Sequence, residues 1–200
     1  MTLLDALKLW KGLFYCLWMT DRPLPQQQIC SSFASLVADI FPDNRSVFTR
    51  AFWQTMAREW TNIDVLRMEK FLLLTRRYLG AQFGVMKEAK WKKAVVVEQL
   101  ELLQEIPLNV SDPKIGNGIR YHVIDIYIDE LERAGALEEG RKGVELEVLL
   151  APLEELKKDS PTKSVRVKAK EALKDERLPG NEKDEDEEME DEGVWGGCQD

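Results

Sequence analysis

Eight prolines cut this chain into segments, and inside each segment the apolar residues return every three or four positions. That spacing is the helical period, so the stretches between these breaks are expected to be amphipathic helices. Leu3, Leu7, Trp10, Phe14, Leu17 and Trp18 form the first stripe, over about 2–20, which Asp21-Arg-Pro-Leu-Pro25 should stop. Ile29, Phe33, Leu36, Val37, Ile40 and Phe41 form the second, ended by Pro42. Val47, Phe48, Ala51, Phe52, Met56 and Trp60 form a third over about 44–60. A fourth begins after an Asn62 or Asp64 cap and runs to about Leu79, where Gly80 is expected to mark a break. A fifth is expected over about 88–105 and a sixth over 119–134, with Gly135 as its cap. Two weaker helices are expected over about 143–158 and 162–176.

Ile124-Asp-Ile-Tyr-Ile128 alternates like a strand, but Ile119, Val123 and Ile126 continue a helical stripe through it. The chain is therefore expected to be all-α. Short breaks between successive helices point to antiparallel neighbours. Trp10 and Trp18 are echoed by Trp53 and Trp60 at offsets of 43 and 42 residues. That offset matches paired-helix repeats, although coincidence of core aromatic positions would give it too. A stacked HEAT- or armadillo-like array of hairpins over 1–177 is thus favoured over a closed bundle.

The net charge of −8 divides unevenly. Residues 178–200 hold ten acids and one lysine, while the preceding 177 residues hold 27 basic and 26 acidic side chains. Within that body, 157–177 carries eight basic residues against four acidic ones, a basic helix before an acidic tail. The run 182–192 is too charged and too poor in apolar residues to offset chain entropy, so the tail is expected to be disordered.

Catalytic chemistry finds little to work with. There is one histidine, His122, placed among apolar residues on the sixth helix, where a core or surface role is the plainer reading. The glycine-rich stretches Gly116-Asn-Gly118 and Gly196-Gly197 are not followed by Lys-Ser/Thr, so no P-loop is formed. Cys16, Cys30 and Cys198 are too scattered for a zinc site, and Cys16 and Cys30 are expected to be buried thiols. No apolar run approaches the roughly 20 residues of a membrane span, and Asp5, Lys8 and Lys11 interrupt any signal-peptide core. An intracellular, non-enzymatic protein is expected, with no cofactor, metal or small-molecule substrate.

Two basic clusters are the candidate contacts. Lys87, Lys90, Lys92 and Lys93 surround Trp91, joining positive charge to a ring on which a base could stack. The alternative is a core Trp91 ringed by ordinary solvated lysines. Lys163, Arg166, Lys168 and Lys170 could lie along phosphates, or form a solvated terminal helix.

Three longer strings are more specific. They are Leu9-Trp-Lys-Gly-Leu-Phe-Tyr-Cys-Leu-Trp-Met-Thr-Asp-Arg-Pro23, Ala51-Phe-Trp-Gln-Thr-Met-Ala-Arg-Glu-Trp-Thr-Asn-Ile-Asp-Val-Leu-Arg-Met-Glu-Lys-Phe71 and Asn117-Gly-Ile-Arg-Tyr-His-Val-Ile-Asp-Ile-Tyr-Ile-Asp-Glu-Leu131. In this order they resemble the eukaryotic ribosomal-RNA-processing protein 1 family, the nucleolar Nop52-type proteins, over roughly 7–135. The resemblance implies an α-helical nucleolar protein bound to precursors of the large (60S) ribosomal subunit and needed for processing their RNA. It implies no catalytic residues. An acidic-tailed chaperone for basic ribosomal or chromatin proteins is the alternative. Two departures stand out. Relatives usually carry a further basic helical segment before the Leu-Trp-Lys-Gly string, which is expected to be missing here. Many also continue into a basic extension where this chain turns acidic.

Overall fold

The computed structural model describes residues 1–138 and 140–181, and these form eight α-helices and no strand. In chain order they are α1 (Leu3–Trp18), α2 (Pro23–Asp39), α3 (Pro42–Glu59), α4 (Val65–Glu88), α5 (Lys93–Glu105), α6 (Asn117–Arg133), α7 (Leu146–Asp159) and α8 (Lys163–Ala172), with a 3₁₀ turn at Trp60–Asn62. The all-α expectation holds. The acidic run 182–192 lies outside the described residues.

Two of the prolines begin helices. Pro23 and Pro42 stand at the starts of α2 and α3, where the missing N–H is unneeded and the fixed φ already suits a helix. Asp64 caps α4 by accepting from the Arg67 amide at 3.0 Å.

The helices fall into two rows. The odd-numbered ones pack in sequence order, α1 on α3, α3 on α5, α5 on α7, and the even-numbered ones do likewise. The core lies between the rows and is aromatic at its N-terminal end. Trp10 meets Phe48, Phe52 and Tyr78, with its indole N–H donating to the Phe48 carbonyl at 3.0 Å. Phe52 stacks on Tyr78 at 3.6 Å, and Phe14 stacks on Phe71 at 4.5 Å. Rings of this size dominate core energetics through area alone, with a further 0.5–1.5 kcal/mol or so per well-placed pair. Trp53 is fully buried, and its Nε1–H donates to Gln82 Oε1 at 2.9 Å. Gln82 in turn donates to the Gln99 carbonyl at 3.0 Å, which ties α3, α4 and α5 through one polar thread in the core. Further along, Phe83 meets Tyr127 edge-on, and the Tyr127 hydroxyl donates to the Leu149 carbonyl at 2.8 Å.

Charge takes over at the C-terminal end. Arg76 of α4 donates to Asp129 and Glu130 of α6 at 2.8 and 2.7 Å. Arg177, beyond α8, donates to Asp129 at 2.9 Å and to Glu132 and Asp175 at 2.6 Å each. The chain stays packed past α8: Leu178 is buried, and Asn181 Nδ2 donates to the Leu173 carbonyl at 2.7 Å. In the loop before α6, Arg120 is buried and its guanidinium donates to the carbonyls of Asn109, Asp112 and Ile115. One side chain thereby supplies donors that the loop lacks.

Three expectations need correcting. Gly80 does not break α4, which continues to Glu88. Its missing Cβ instead lets α6 approach, because a Cβ there would stand 2.5 Å from Glu130 Oε2. The fifth helix starts at Lys93 rather than near 88, since the chain turns at Lys90 and Trp91, both at positive φ. Cys16 is exposed, whereas Cys30 is buried with its thiol donating to the Lys70 carbonyl at 3.4 Å.

Candidate RNA and partner interface

The first lysine cluster is built by the end of α4. Lys90 N–H bonds the Lys87 carbonyl at 2.7 Å and Trp91 N–H reaches back to Met86 at 2.8 Å. This pair of bonds is a Schellman closure, which needs one residue in the left-handed region. Lys90 takes that position at φ 55° and Trp91 follows at 54°. The end of α6 closes in the same way, with Gly135 N–H on Glu132 and Ala136 N–H on Leu131, but there the left-handed residue is glycine. A lysine in this conformation costs about 1–2 kcal/mol relative to glycine.

The turn exposes Lys87, Lys90, Lys92 and Lys93 and buries Trp91. The Trp91 ring is 4% exposed, Arg141 lies over it at 5.3 Å, and its carbonyl accepts from Val144 N–H. It therefore offers no open face to a base, and the stacking role expected of it does not hold. Lys92 and Lys93 sit at the start of α5, which has no side-chain cap and no acid in its first turn. A helix N-terminus disfavours cations, so these lysines stand in an unfavourable field of the chain's own making.

The second cluster divides. Arg166 is half-buried and donates to the Ser160 and Pro161 carbonyls at 2.7 and 3.1 Å, fastening the α7–α8 turn. Lys168 pairs with Asp125 at 2.6 Å and lies 5.9 Å from the centre of the Tyr121 ring. Lys163 and Lys170 face solvent. Val165 and Ala169 point inward, so Lys163, Val167 and Lys170 share the opposite face of α8, and the exposed Lys174 follows just past its end.

The two clusters are not one site. Lys87 reaches the Gly135 turn at the C-terminal end of α6, whereas Ser164 bonds Tyr121 near its start at 2.7 Å. The 17 residues of α6 separate them by about 25 Å. Between α6 and α8 runs an open, mainly apolar groove of about 880 Å³, bounded by Tyr121, Ser164, Val167, Lys168 and Glu171. Sequence reading missed it and missed Lys174. Only the parallel packing of α6 on α8 brings Tyr121 beside Val167.

His122 is half-buried, against the edge of the core. It stacks on Trp60 at 6.0 Å, and its Nε2–H donates to the Leu72 carbonyl at 3.0 Å. Burial holds the imidazole below its usual pKa, so the neutral form is the resident one. Among the described residues no group of His, Cys, Asp or Glu is arranged to hold a metal, and no helix is long and apolar enough to cross a membrane.

Fold and surface together define an all-helical, two-row protein with separate basic patches. The chain belongs to the Nop52 family: the family described as "Nucleolar protein, Nop52" matches residues 1–195. Among curated relatives it is similar to human ribosomal RNA processing protein 1 homolog A, at 43% identity over 135 residues, 67% of this chain and 29% of the relative. Human homolog B is 41% identical over 138 residues, 67% of this chain and 18% of the relative. The Caenorhabditis elegans homolog is 33% identical over 134 residues, 66% of this chain and 34% of the relative. The chain thus spans about three tenths or less of the two human relatives' length.

Proposed function

We propose that this chain is a non-catalytic nucleolar scaffold in large-subunit (60S) ribosome assembly, needed for processing of the precursor RNA. Its relatives carry ribosomal RNA processing in their names, and the family is described as nucleolar. The two rows are read as a HEAT- or armadillo-like stack, which presents long helical surfaces to assembly factors rather than enclosing a reaction cleft.

The observation that carries an RNA-facing role is Lys90. A lysine holds a backbone position that suits glycine, beside Lys92 and Lys93 at an uncapped helix start. The turn buries Trp91, yet nothing in that packing asks for cations at these positions, and local rules broken together favour a surface kept for its charge. Phosphate oxygens would relieve that field and release counterions. Lys87, Lys90, Lys92 and Lys93 are therefore assigned to pre-ribosomal RNA, with Lys163 and Lys170 as a second contact. Arg166 and Lys168 serve mainly the protein's own structure, and Trp91 underpins the first patch from within.

Depleting the protein should make precursors of the large-subunit RNAs accumulate, and normal precursor levels would sink the proposal. In purified pre-ribosomes, crosslinks from 87–93 should reach RNA. Crosslinks from that turn to protein alone would remove the RNA contact and leave the scaffold.

A further inference from the structure

We propose that the groove between α6 and α8 is the docking site of this chain's own segment 182–195, with the acidic run 182–192 along the outer lysines of α8 and Trp195 seated against Tyr121 and Val167. This goes beyond the RNA-binding reading and does not depend on it.

The groove has an apolar floor that nothing among the described residues covers, and Val167 stands 44% exposed in a helix only ten residues long. Its rim is basic. Lys163 lines the groove with Lys168, Lys170 stands beside Val167 on the outer face of α8, and Lys174 follows just past the helix, with Lys163, Lys170 and Lys174 all solvent-exposed. The opposing charges on this face are few: Asp125 is already paired with Lys168, and Glu171 is the one acid on the wall of the groove.

The segment that follows Asn181 matches this surface in charge, side chain and place. Residues 182–192 hold nine acids and one lysine, and Val194 and Trp195 come next after Gly193. An aromatic ring with an N–H donor suits a groove that mixes apolar surface with the hydroxyls of Thr162 and Ser164. The starting point is set by the fold. Leu178 is buried, Arg177 is held by three carboxylates, and Asn181 is bonded to the Leu173 carbonyl, so residue 182 departs from the C-terminal end of α8. Fourteen residues from Asn181 to Trp195 reach up to about 46 Å when extended. The helix to be retraced is about 15 Å long. Tethering makes the encounter intramolecular, so individually weak contacts suffice. The docked segment would cover Lys163, Lys170 and Lys174 with like-for-phosphate charge, and so compete with any polyanion for that face of α8.

The test uses the full chain with Cys16→Ser and a nitroxide on Cys198, three residues from Trp195. Cys30 is buried, and burial pushes its thiol up to about 11, so it stays unlabelled. Amide signals of Tyr121 and of 163–171 should lose intensity, while those of α1 and α3 keep theirs. Trp195→Ala, and separately Lys163→Glu with Lys170→Glu and Lys174→Glu, should restore the signals. The proposal is overturned by signals on α6 and α8 that stay intact, or by a loss spread evenly over the molecule. It is also overturned if labelled chains broaden the same signals of unlabelled ones just as strongly, which would seat the segment on a second copy.

Discussion

Replacing Trp53 by alanine tests the packing logic of the whole N-terminal half. The ring is fully buried between Phe52, Tyr78 and Gln82. Truncating such a ring removes its transfer free energy and leaves a cavity, together about 3–5 kcal/mol. The indole also supplies the donor to Gln82 Oε1, and an orphaned buried acceptor adds about 1–3 kcal/mol. A total of about 4–8 kcal/mol follows, a large part of the stability of a domain this size. Trp53→Phe keeps most of the ring and loses the donor, so it should cost about 1–3 kcal/mol. Trp53→Phe combined with Gln82→Leu removes both partners and should cost less than the two single changes summed. Urea titrations followed by circular dichroism measure all three. The reasoning fails if Trp53→Ala costs under about 1 kcal/mol, or if the pair is strictly additive.

Four further outcomes follow from the geometry. Lys90→Gly should raise stability by about 1 kcal/mol, because glycine adopts positive φ freely, while weakening RNA binding; a lower urea midpoint would contradict the strain. His122 is neutral in the fold, so the unfolded chain takes up its proton first as pH falls below about 6.5. Stability should therefore drop as pH is lowered through that value, and His122→Gln should flatten the slope below about pH 6.5; an unchanged slope would assign it to other groups. Arg177→Ala should speed amide exchange in 174–181 without moving the global unfolding midpoint by more than about 1 kcal/mol, and exchange that stays slow there would show that Leu178 alone holds the segment. Reversing Lys87, Lys90, Lys92 and Lys93 to glutamate should weaken binding to a ribosomal RNA fragment and reduce its salt slope by up to about four units; an unchanged slope would remove this patch from the interface.

Much of the fold was legible because the helical period is a strong signal in long apolar stripes. α1 and α3 fell close to their expected limits, and the inward set Phe48, Phe52, Met56 and Trp60 is buried as read. Glycine read as punctuation held at Gly135 and failed at Gly80. Gly80 and Gly135 look alike in sequence, yet one admits a neighbouring carboxylate and the other adopts a left-handed turn. Only tertiary packing distinguishes them. The turn that does end α4 was hidden because lysine and tryptophan carry it. At the candidate site, residue type located the lysines but not their freedom: Arg166 and Lys168 are spent on carbonyls and Asp125, and no local pattern shows this. The groove needed Tyr121 and Val167 from two helices of one row, a proximity that no single stripe encodes.

The ion pairs of Arg76 and Arg177 have a consequence for how the molecule responds to its surroundings. Their partners are Asp129, Glu130, Glu132 and Asp175, so one run of alternating charge joins α4, α6 and the segment after α8. The rings clustered around Trp10 and Tyr78 are a separate, uncharged set of contacts. Added salt screens the first and leaves the second almost untouched, whereas cooling weakens the apolar contacts more than the charged ones. One chain thus joins contacts that answer to ionic strength with contacts that answer to temperature. The ion pairs of Arg177, which ionic strength weakens, hold the stretch from which the acidic segment departs.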